Sequence, residues 1–150
     1  LPGQSGDLLD GCDYVVDAVD TVAAKLDLAE TCYRRGIPLI SAMGAGNKTD
    51  PSRFGTADIF DTSICPLCRV MRKELKKRGV PRLKVVYSEE EPLSPGPPMD
   101  CGSCGRCDKA RQPEEEQVGR KRQTPGSLAF VPSVCGLIIA REVVFDLLGK

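Results

Sequence analysis

A short apolar run near the start of the chain, Tyr14-Val15-Val16, is followed by two acidic residues, Asp17 and Asp20. An apolar run of this kind that ends in polar groups is typical of a buried strand in a parallel sheet. Because ligands bind at the carboxyl edge of such sheets, Asp17 and Asp20 are candidate ligand groups. The alternative is that both only cap the following helix, since acidic side chains are favoured at helix starts.

The pattern after Asp20 alternates between helix and strand. Apolar residues recur at helical spacing from Val22 to Tyr33, and Gly36 and Pro38 end this helix. The apolar run 37–42 predicts a second strand, parallel to the first and joined to it by a right-handed crossover. The chain is therefore expected to adopt an α/β fold.

The remaining elements follow the same periodicities. Residues 54–60 and 82–87 predict strands, and between them Pro66 opens a helix that Gly79 ends. A last helix is expected from Pro132 to Leu148. It is apolar around most of its circumference, so we expect it to be buried.

The helix after Pro66 carries a basic face opposite its apolar one. This face is either simply solvated, with cations favourably placed near the helix C-terminus, or it contacts RNA phosphates. Its residues are Arg69, Arg72, Lys73, Lys76, Lys77 and Arg78.

A glycine-containing loop, Met43 to Pro51, directly follows the second strand. It is predicted at the same sheet edge as Asp20, so Gly44 and Gly46 are candidate ligand-loop residues. A lone Gly-x-Gly is also compatible with an ordinary turn.

Composition narrows the choice of chemistry. The 150 residues predict one domain, carry no net charge and contain no histidine, which excludes Ser-His-Asp and Cys-His nucleophilic arrangements within them. No apolar run reaches the roughly 20 residues of a membrane span, and nothing resembles a signal peptide, so a cytoplasmic location is expected. The chain begins with Leu1 and is expected to be a fragment.

Two cysteine clusters point to metal or redox chemistry, because the chain lacks a secretory signal. Cys65 and Cys68 open a predicted helix. Cys101, Cys104 and Cys107 lie in residues 89–126, where prolines, glycines and charges replace apolar residues and predict a flexible insert. Cys12, Cys32 and Cys135 lie in or beside apolar segments and are expected in the core.

Several motifs together carry a family resemblance. The segments 16–21 (with Lys25), 37–40, 44–46 and 50–51 resemble the ThiF, MoeB and HesA adenylating enzymes, which are related to ubiquitin-activating enzymes. Segments 58–63, 66–72 and 85–88 look more narrowly like the tRNA threonylcarbamoyladenosine dehydratase branch. The resemblance implies a Rossmann-like fold with a mixed sheet flanked by helices, and it skips the insert.

The function implied by this resemblance is an ATP-dependent cyclodehydration of threonylcarbamoyladenosine at position 37 of tRNA, through an acyl adenylate. Asp20 matches the catalytic acidic residue that acts through Mg²⁺ near the ATP phosphates. Lys25, Gly44 and Gly46 are the other implied nucleotide contacts, with Lys25 either a phosphate contact or a surface residue. Asp17 is expected to support the site or cap the helix.

Relatives also imply a zinc site. A Cys-x-x-Cys at this distance from the acidic strand is half of a four-thiolate zinc site in ThiF-like and MoeB-like proteins. Here Cys65 and Cys68 would need partners from the insert, namely Cys101 and Cys104; otherwise they only pack a helix start. A catalytic cysteine in the insert is a further alternative. A homodimer is expected from the same relatives.

One departure from the family pattern limits the expected activity. The family places its glycine-rich nucleotide loop before the Asp20 strand, and no Gly-x-Gly-x-x-Gly precedes Asp20 here. We therefore expect an N-terminal part of the fold to be missing and the 150 residues alone not to bind ATP tightly. Two other functions remain: adenylation of a small carrier protein with a sulfur-transfer partner, and a non-catalytic zinc-stabilised interaction module.

Overall fold

The protein forms one mixed four-stranded sheet in the computed structural model, which describes residues 8–94 and 126–150. The strand order is β1-β2-β4-β3; the first three of these are parallel and β3 is antiparallel to β4. The expected parallel pairing of the first two strands is confirmed. The strands are β1 (Val15–Asp17), β2 (Leu39–Ala42), β3 (Phe54–Asp58) and β4 (Lys84–Ser88).

Three long helices connect or follow the strands: α1 (Val22–Arg35), α2 (Pro66–Lys77) and α3 (Phe130–Leu147). Helix α1 ends where Gly36 adopts a left-handed φ of 68° and its N–H binds the carbonyls of the last turn. Pro66 occupies the first position of α2, where the missing N–H costs no helical hydrogen bond. These helices agree with the periodicity of the sequence.

The third strand is shorter than expected, because β3 ends at Asp58 and residues 59–61 form a 3-10 turn. The Asp58 carboxylate accepts hydrogen bonds from the N–H groups of Phe60 and Leu83, at 2.9 and 3.2 Å. A side chain that binds nearby backbone groups competes with the strand ladder, which explains the early end.

Helices cover both faces of the sheet. On one face α1 and α2 supply Leu26, Met71 and Leu75, which pack with Val85 of β4. On the other face α3 packs its buried side chains against Ile40 and Val86; they are Val131, Cys135 and Ile139. The mixed α/β sheet flanked by helices is confirmed, and both layers of core lie against the middle strands.

The expectation that the last helix is buried all round is wrong. Leu137 is 70% exposed, and Val144 and Leu147 are also exposed. One helix covers this face of the sheet, so only its sheet-facing side is buried by the described residues. No helix among the residues described is long and apolar enough to cross a membrane.

Candidate active site at the carboxyl edge of the sheet

A cavity of about 530 Å³ lies where β1 and β2 end. Its wall combines the turn after β1, the loop after β2 and the first turns of α3. The structure thus brings Asp20, Gly44 and Gly46 together, although they are up to 26 positions apart in sequence. The volume falls in the range of small-molecule sites. The lining residues that the sequence did not indicate include Leu67, Ser127, Pro132, Cys135 and Gly136.

Asp20 presents an unengaged carboxylate to this cavity. The residue is exposed, and none of the residues in 8–94 and 126–150 donates a hydrogen bond to its side chain. It does not cap the following helix, because Thr21 is the N-cap of α1 and no side chain caps that end. The Asp20 carboxylate is therefore available to a cation or to a ligand in the cavity.

Asp17 and Lys25 form a buried network behind Asp20. The Lys25 ammonium lies 3.1 Å from the Asp17 carboxylate and 2.7 Å from the carbonyl oxygen of Ala42. The same carboxylate accepts a hydrogen bond from the Ser41 hydroxyl and, at 3.1 Å, from the N–H of Val19. Because buried charges need such partners, this network holds the end of β1, the turn after it and the end of β2 together.

The structure resolves the position of Lys25. Its ammonium is buried, with 2% of the residue exposed, so the surface alternative is wrong. The side chain belongs to the cavity wall, and its three donors face Asp17, Ser41 and Ala42. Asp17 does not cap α1; it binds Lys25 and the turn that leads to Asp20.

The backbone of the Gly44 loop leaves space on the cavity side. Gly44 does not have a positive φ, and a Cβ built on it meets no atom within 4 Å. Neither the turn nor the packing of the described residues therefore requires glycine at this position. The space that a side chain would fill is part of the cavity.

Asn47 anchors this loop to two distant segments. It has a φ of 57°, a left-handed conformation that asparagine tolerates better than most residues. Its N–H donates to Gly126 at 2.8 Å, its side-chain oxygen accepts from the Gly126 N–H at 2.6 Å, and its carbonyl accepts from Leu93 at 2.8 Å. Both described ends of the predicted insert therefore meet at Asn47.

Glu90 fixes the far side of the same loop. Its buried carboxylate accepts hydrogen bonds from the N–H groups of Thr49 and Asp50, at 2.9 and 3.0 Å, and from the Thr49 hydroxyl at 3.0 Å. The Asp50 and Thr49 N–H groups hold the pKa of this carboxyl below its usual value. Lys48 binds the Glu90 carbonyl. Nothing in the acidic run after β4 indicated which carboxylate is buried.

Cys65 and Cys68 lie at the start of α2, and both are buried free thiols. A hydrogen bond from the Cys68 thiol, together with the N–H groups of Cys68, Leu67 and Gly44, lowers the pKa of Cys65 below its usual value. The same thiol contact and burial raise the pKa of Cys68.

The predicted zinc ligands are only partly described. Cys101 and Cys104 lie outside the described residues, as does Cys107. Within residues 8–94 and 126–150 no three or more candidate ligands lie together. Cys65 and Cys68 therefore supply two of the four sulfurs that the predicted site needs.

The remaining cysteines divide between core and surface. Cys12 is exposed, so its expected place in the core is wrong, whereas Cys32 and Cys135 are buried. Burial raises the pKa of Cys135 to about 11, and this thiol lines the cavity. A neutral thiol in that position is a packing group rather than a nucleophile.

The chain is similar in sequence to known proteins of one family. The model of the ThiF family matches residues 2–150. A tRNA threonylcarbamoyladenosine dehydratase of Bacillus subtilis is 43% identical over 141 residues, which are 92% of this chain and 52% of that protein. The tRNA threonylcarbamoyladenosine dehydratase 1 of Saccharomyces cerevisiae is 33% identical over 142 residues, 91% of this chain and 31% of that protein.

Solved structures show the same fold. The Escherichia coli tRNA N6-threonylcarbamoyladenosine dehydratase TcdA in complex with AMP has a TM-score of 0.74 and 23% identity, covering 99% of this chain and 54% of that one. TcdA in complex with ATP has a TM-score of 0.71 and 24% identity, covering 96% of this chain and 51% of that one. The chain thus spans about half the length of these proteins and of its Bacillus relative.

Proposed function

This chain belongs to the ThiF family, and we propose that it forms part of an enzyme that cyclises threonylcarbamoyladenosine in tRNA with the use of ATP. The observation that carries the proposal is the Asp20 carboxylate, which pairs with none of the described residues and lies beside the Gly44 loop in a cavity at the carboxyl edge of parallel strands. The proposed substrate is that of the relatives, which are named tRNA threonylcarbamoyladenosine dehydratases and are 43% and 33% identical over most of the chain.

The reaction has two balanced steps. The threonyl carboxylate attacks the α-phosphorus of ATP, the bond to the β-phosphate breaks, and pyrophosphate leaves. A nucleophile of the same modified base then attacks the activated carbonyl and loses its proton to solvent, and the bond from the carbonyl carbon to the AMP oxygen breaks, which closes the ring and releases AMP. The net change in the nucleoside is the loss of one water.

Asp20 is the proposed catalytic residue. Both reactants are anionic where they meet, so the first step needs positive charge between them. Mg²⁺ binds through one or two carboxylates together with substrate phosphates, a donor set that Asp20 and the nucleotide satisfy. Asp20 would hold such an ion at the cavity, where the ion would supply positive charge to the phosphates.

The other site residues act around Asp20. Gly44 leaves room for the nucleotide beside the loop backbone, and Gly46 lines the same cavity. Lys25 is a positioning residue, because its donors hold Asp17 and the end of β2 while its charge stays at the cavity wall. The proposed location of the reaction is the cytoplasm, where most tRNA is found.

The test uses the intact gene product with MgATP and tRNA that carries threonylcarbamoyladenosine. We expect release of AMP and pyrophosphate in equal amounts, and a modified nucleoside lighter by one water in mass spectrometry. Unmodified tRNA is the control and should release neither product. Release of pyrophosphate with a small carrier protein but not with modified tRNA contradicts the proposal.

We also propose zinc as a structural ion for the intact protein. Cys65 and Cys68 fit one half of a four-thiolate site, and Cys101 and Cys104 are the sequence candidates for the other half. Protein purified without chelator should contain about one zinc per chain, and the Cys65→Ser variant should lose it. Less than about a tenth of an equivalent in the unmodified protein contradicts this.

A homodimer is proposed on the surface of α3. The exposed side chains of Leu137, Val144 and Leu147 form an apolar surface of the kind that pairs with a partner. Sedimentation of the intact gene product should give twice the mass of one chain. A monomer at micromolar concentration contradicts the homodimer.

A further inference from the structure

Helix α2 concentrates positive charge on a chain that has no net charge. Between Pro66 and Lys77 it carries five cationic side chains and a single acidic one, Glu74. Arg69, Lys73 and Lys76 are exposed, and no ion pair joins them to any residue in 8–94 or 126–150. We refer to Arg69, Lys73 and Lys76 as the basic stripe.

The neighbouring cations are already engaged. Arg72 donates to the carbonyl oxygen of Thr62 at 2.6 Å. Lys77 pairs with Glu74 at 2.7 Å, so the single acidic side chain of the helix already has an ion-pair partner. Arg78, directly after the helix, pairs with Glu30 of α1 at 2.8 Å. The basic stripe is therefore the part of this charge that the described residues leave uncompensated.

The three cations form one continuous line along the helix. They stand at positions i, i+4 and i+7, within an arc of about 60° and over a length of about 10 Å. Their direction is fixed, because Cys68, Met71 and Leu75 on the opposite face are completely buried. Like charges at this spacing destabilise a helix, so a binding partner, not the fold, benefits from them.

Helix α2, which carries the basic stripe, begins at the candidate active site. Leu67, in its first turn, lines the cavity. Arg69 comes two positions later and faces the other side of the helix, about 160° from Leu67, and Lys73 and Lys76 continue along that outer face away from the cavity. A polyanion on the outer face therefore lies, at the Arg69 end, within about one helix diameter, roughly 10 Å, of the cavity.

We propose that the basic stripe binds the phosphate backbone of the tRNA and directs the modified base into the cavity. The inference rests on the proposed function, which supplies a polyanionic substrate. Lysine and arginine on a nucleic acid gain affinity by releasing the counterions of the phosphates they neutralise, without reading the sequence. Within the stripe, Arg69 is the residue nearest the start of α2, and Lys73 and Lys76 bind phosphates further along the strand.

The test compares two triple variants of the intact gene product. The first is Arg69→Gln, Lys73→Gln and Lys76→Gln. The matched control, Arg34→Gln, Arg82→Gln and Lys150→Gln, removes the same charge from exposed positions outside α2. The measurement is the fluorescence anisotropy of an unmodified anticodon stem-loop RNA, titrated with protein at several salt concentrations.

For the stripe variant we expect a slope of log affinity against log salt that is smaller by about 2 to 3, and RNA binding at least about tenfold weaker at low salt. The KM for modified tRNA should rise while kcat and the affinity for MgATP stay unchanged. The control variant should match the unmodified protein in all five quantities.

Two outcomes overturn the inference. One is an unchanged salt slope with an unchanged KM for tRNA in the stripe variant. The other is a protein without substitutions that does not bind RNA but binds an acidic protein through the stripe. A third result separates the two proposals. If the protein has no dehydratase activity but its RNA binding depends on the stripe, only the proposed function is contradicted.

Discussion

The Asp17 carboxylate and the Lys25 ammonium lie 3.1 Å apart inside the protein, with 1% and 3% of their side chains exposed. A pair buried this deeply contributes little net stability compared with apolar side chains of the same size, but it is costly to break. Its role is geometric, because it ties the end of one strand to the first helix and to the next strand.

Replacing Lys25 with methionine should therefore destabilise the intact gene product by about 3 kcal/mol, because a buried carboxylate loses its counter-charge. Chemical denaturation followed by circular dichroism measures this. The double variant Asp17→Asn and Lys25→Met should recover a large part of the loss, since both charges are gone. A double variant that is less stable than the single one contradicts the assignment.

Substitution of Asp20 should lower activity without lowering stability, whereas substitution of Asp17 should lower stability. Asp20→Asn is expected to lower kcat for adenylation by about a hundredfold or more, because its carboxylate no longer holds a cation at the phosphates. Its melting temperature should stay within about 1 °C of the unmodified protein, since no described residue bonds to the side chain. Asp17→Asn should lower the melting temperature. Calorimetry and pyrophosphate release distinguish the two, and an Asp20→Asn enzyme of full activity contradicts the role.

Filling the cavity from Gly44 should weaken nucleotide binding without unfolding the protein. Gly44→Val places its Cβ where no atom of the described residues lies within 4 Å and where φ is not positive. We expect KM for ATP to rise about tenfold or more while the melting temperature changes little. Gly55→Val on β3 is the matched control, since its added Cβ also meets open space but lies outside the cavity. Equal effects of both variants on KM argue against the cavity as the nucleotide site.

Residues 1–150 on their own should not bind MgATP with micromolar affinity. No glycine-rich nucleotide loop precedes Asp20 in this sequence, and the cavity is formed by the elements that follow β1. Isothermal titration of MgATP into the 150-residue chain should give no saturable heat at micromolar concentrations. Clear micromolar binding disproves the expectation.

The Asp146 carboxylate should make the free energy of unfolding depend on pH in the acidic range. It accepts hydrogen bonds from Lys84 at 2.8 Å and from Tyr14 at 2.7 Å, and these contacts hold its pKa below the usual value. Since the folded pKa is the lower one, the stabilisation is complete above about pH 4 and is lost as the pH falls through the folded pKa. The difference in unfolding free energy between the unmodified protein and Asp146→Asn should be constant from pH 5 to 7 and shrink below pH 4. A difference that grows in acid contradicts this sign.

The order of strands and helices was predictable because it depends on local periodicity. Gly36 and Pro66 act within one turn of the chain, so the bounds of α1 and α2 agree with the sequence pattern. The burial of the last helix could not be predicted from its composition. The apolar character of Leu137 and Val144 is visible in sequence, but their exposure depends on how many helices share one face of the sheet.

The candidate site was partly predictable for the same reason. Strand ends indicated Asp20 and Gly44, since parallel strands bring their carboxyl ends to one edge. The buried pairing of Lys25 and the role of Glu90 depend on contacts between residues up to 41 positions apart. Residue type alone does not reveal which of several charged side chains makes such a contact.

Asn47 is a junction of three parts of the chain. It bonds to both Gly126 and Leu93, so these two residues lie close together although 33 positions separate them in sequence. Gly126 also lines the cavity together with the Gly44 loop. The shape of the cavity wall therefore depends on a long-range tertiary junction and not only on the loop that follows β2.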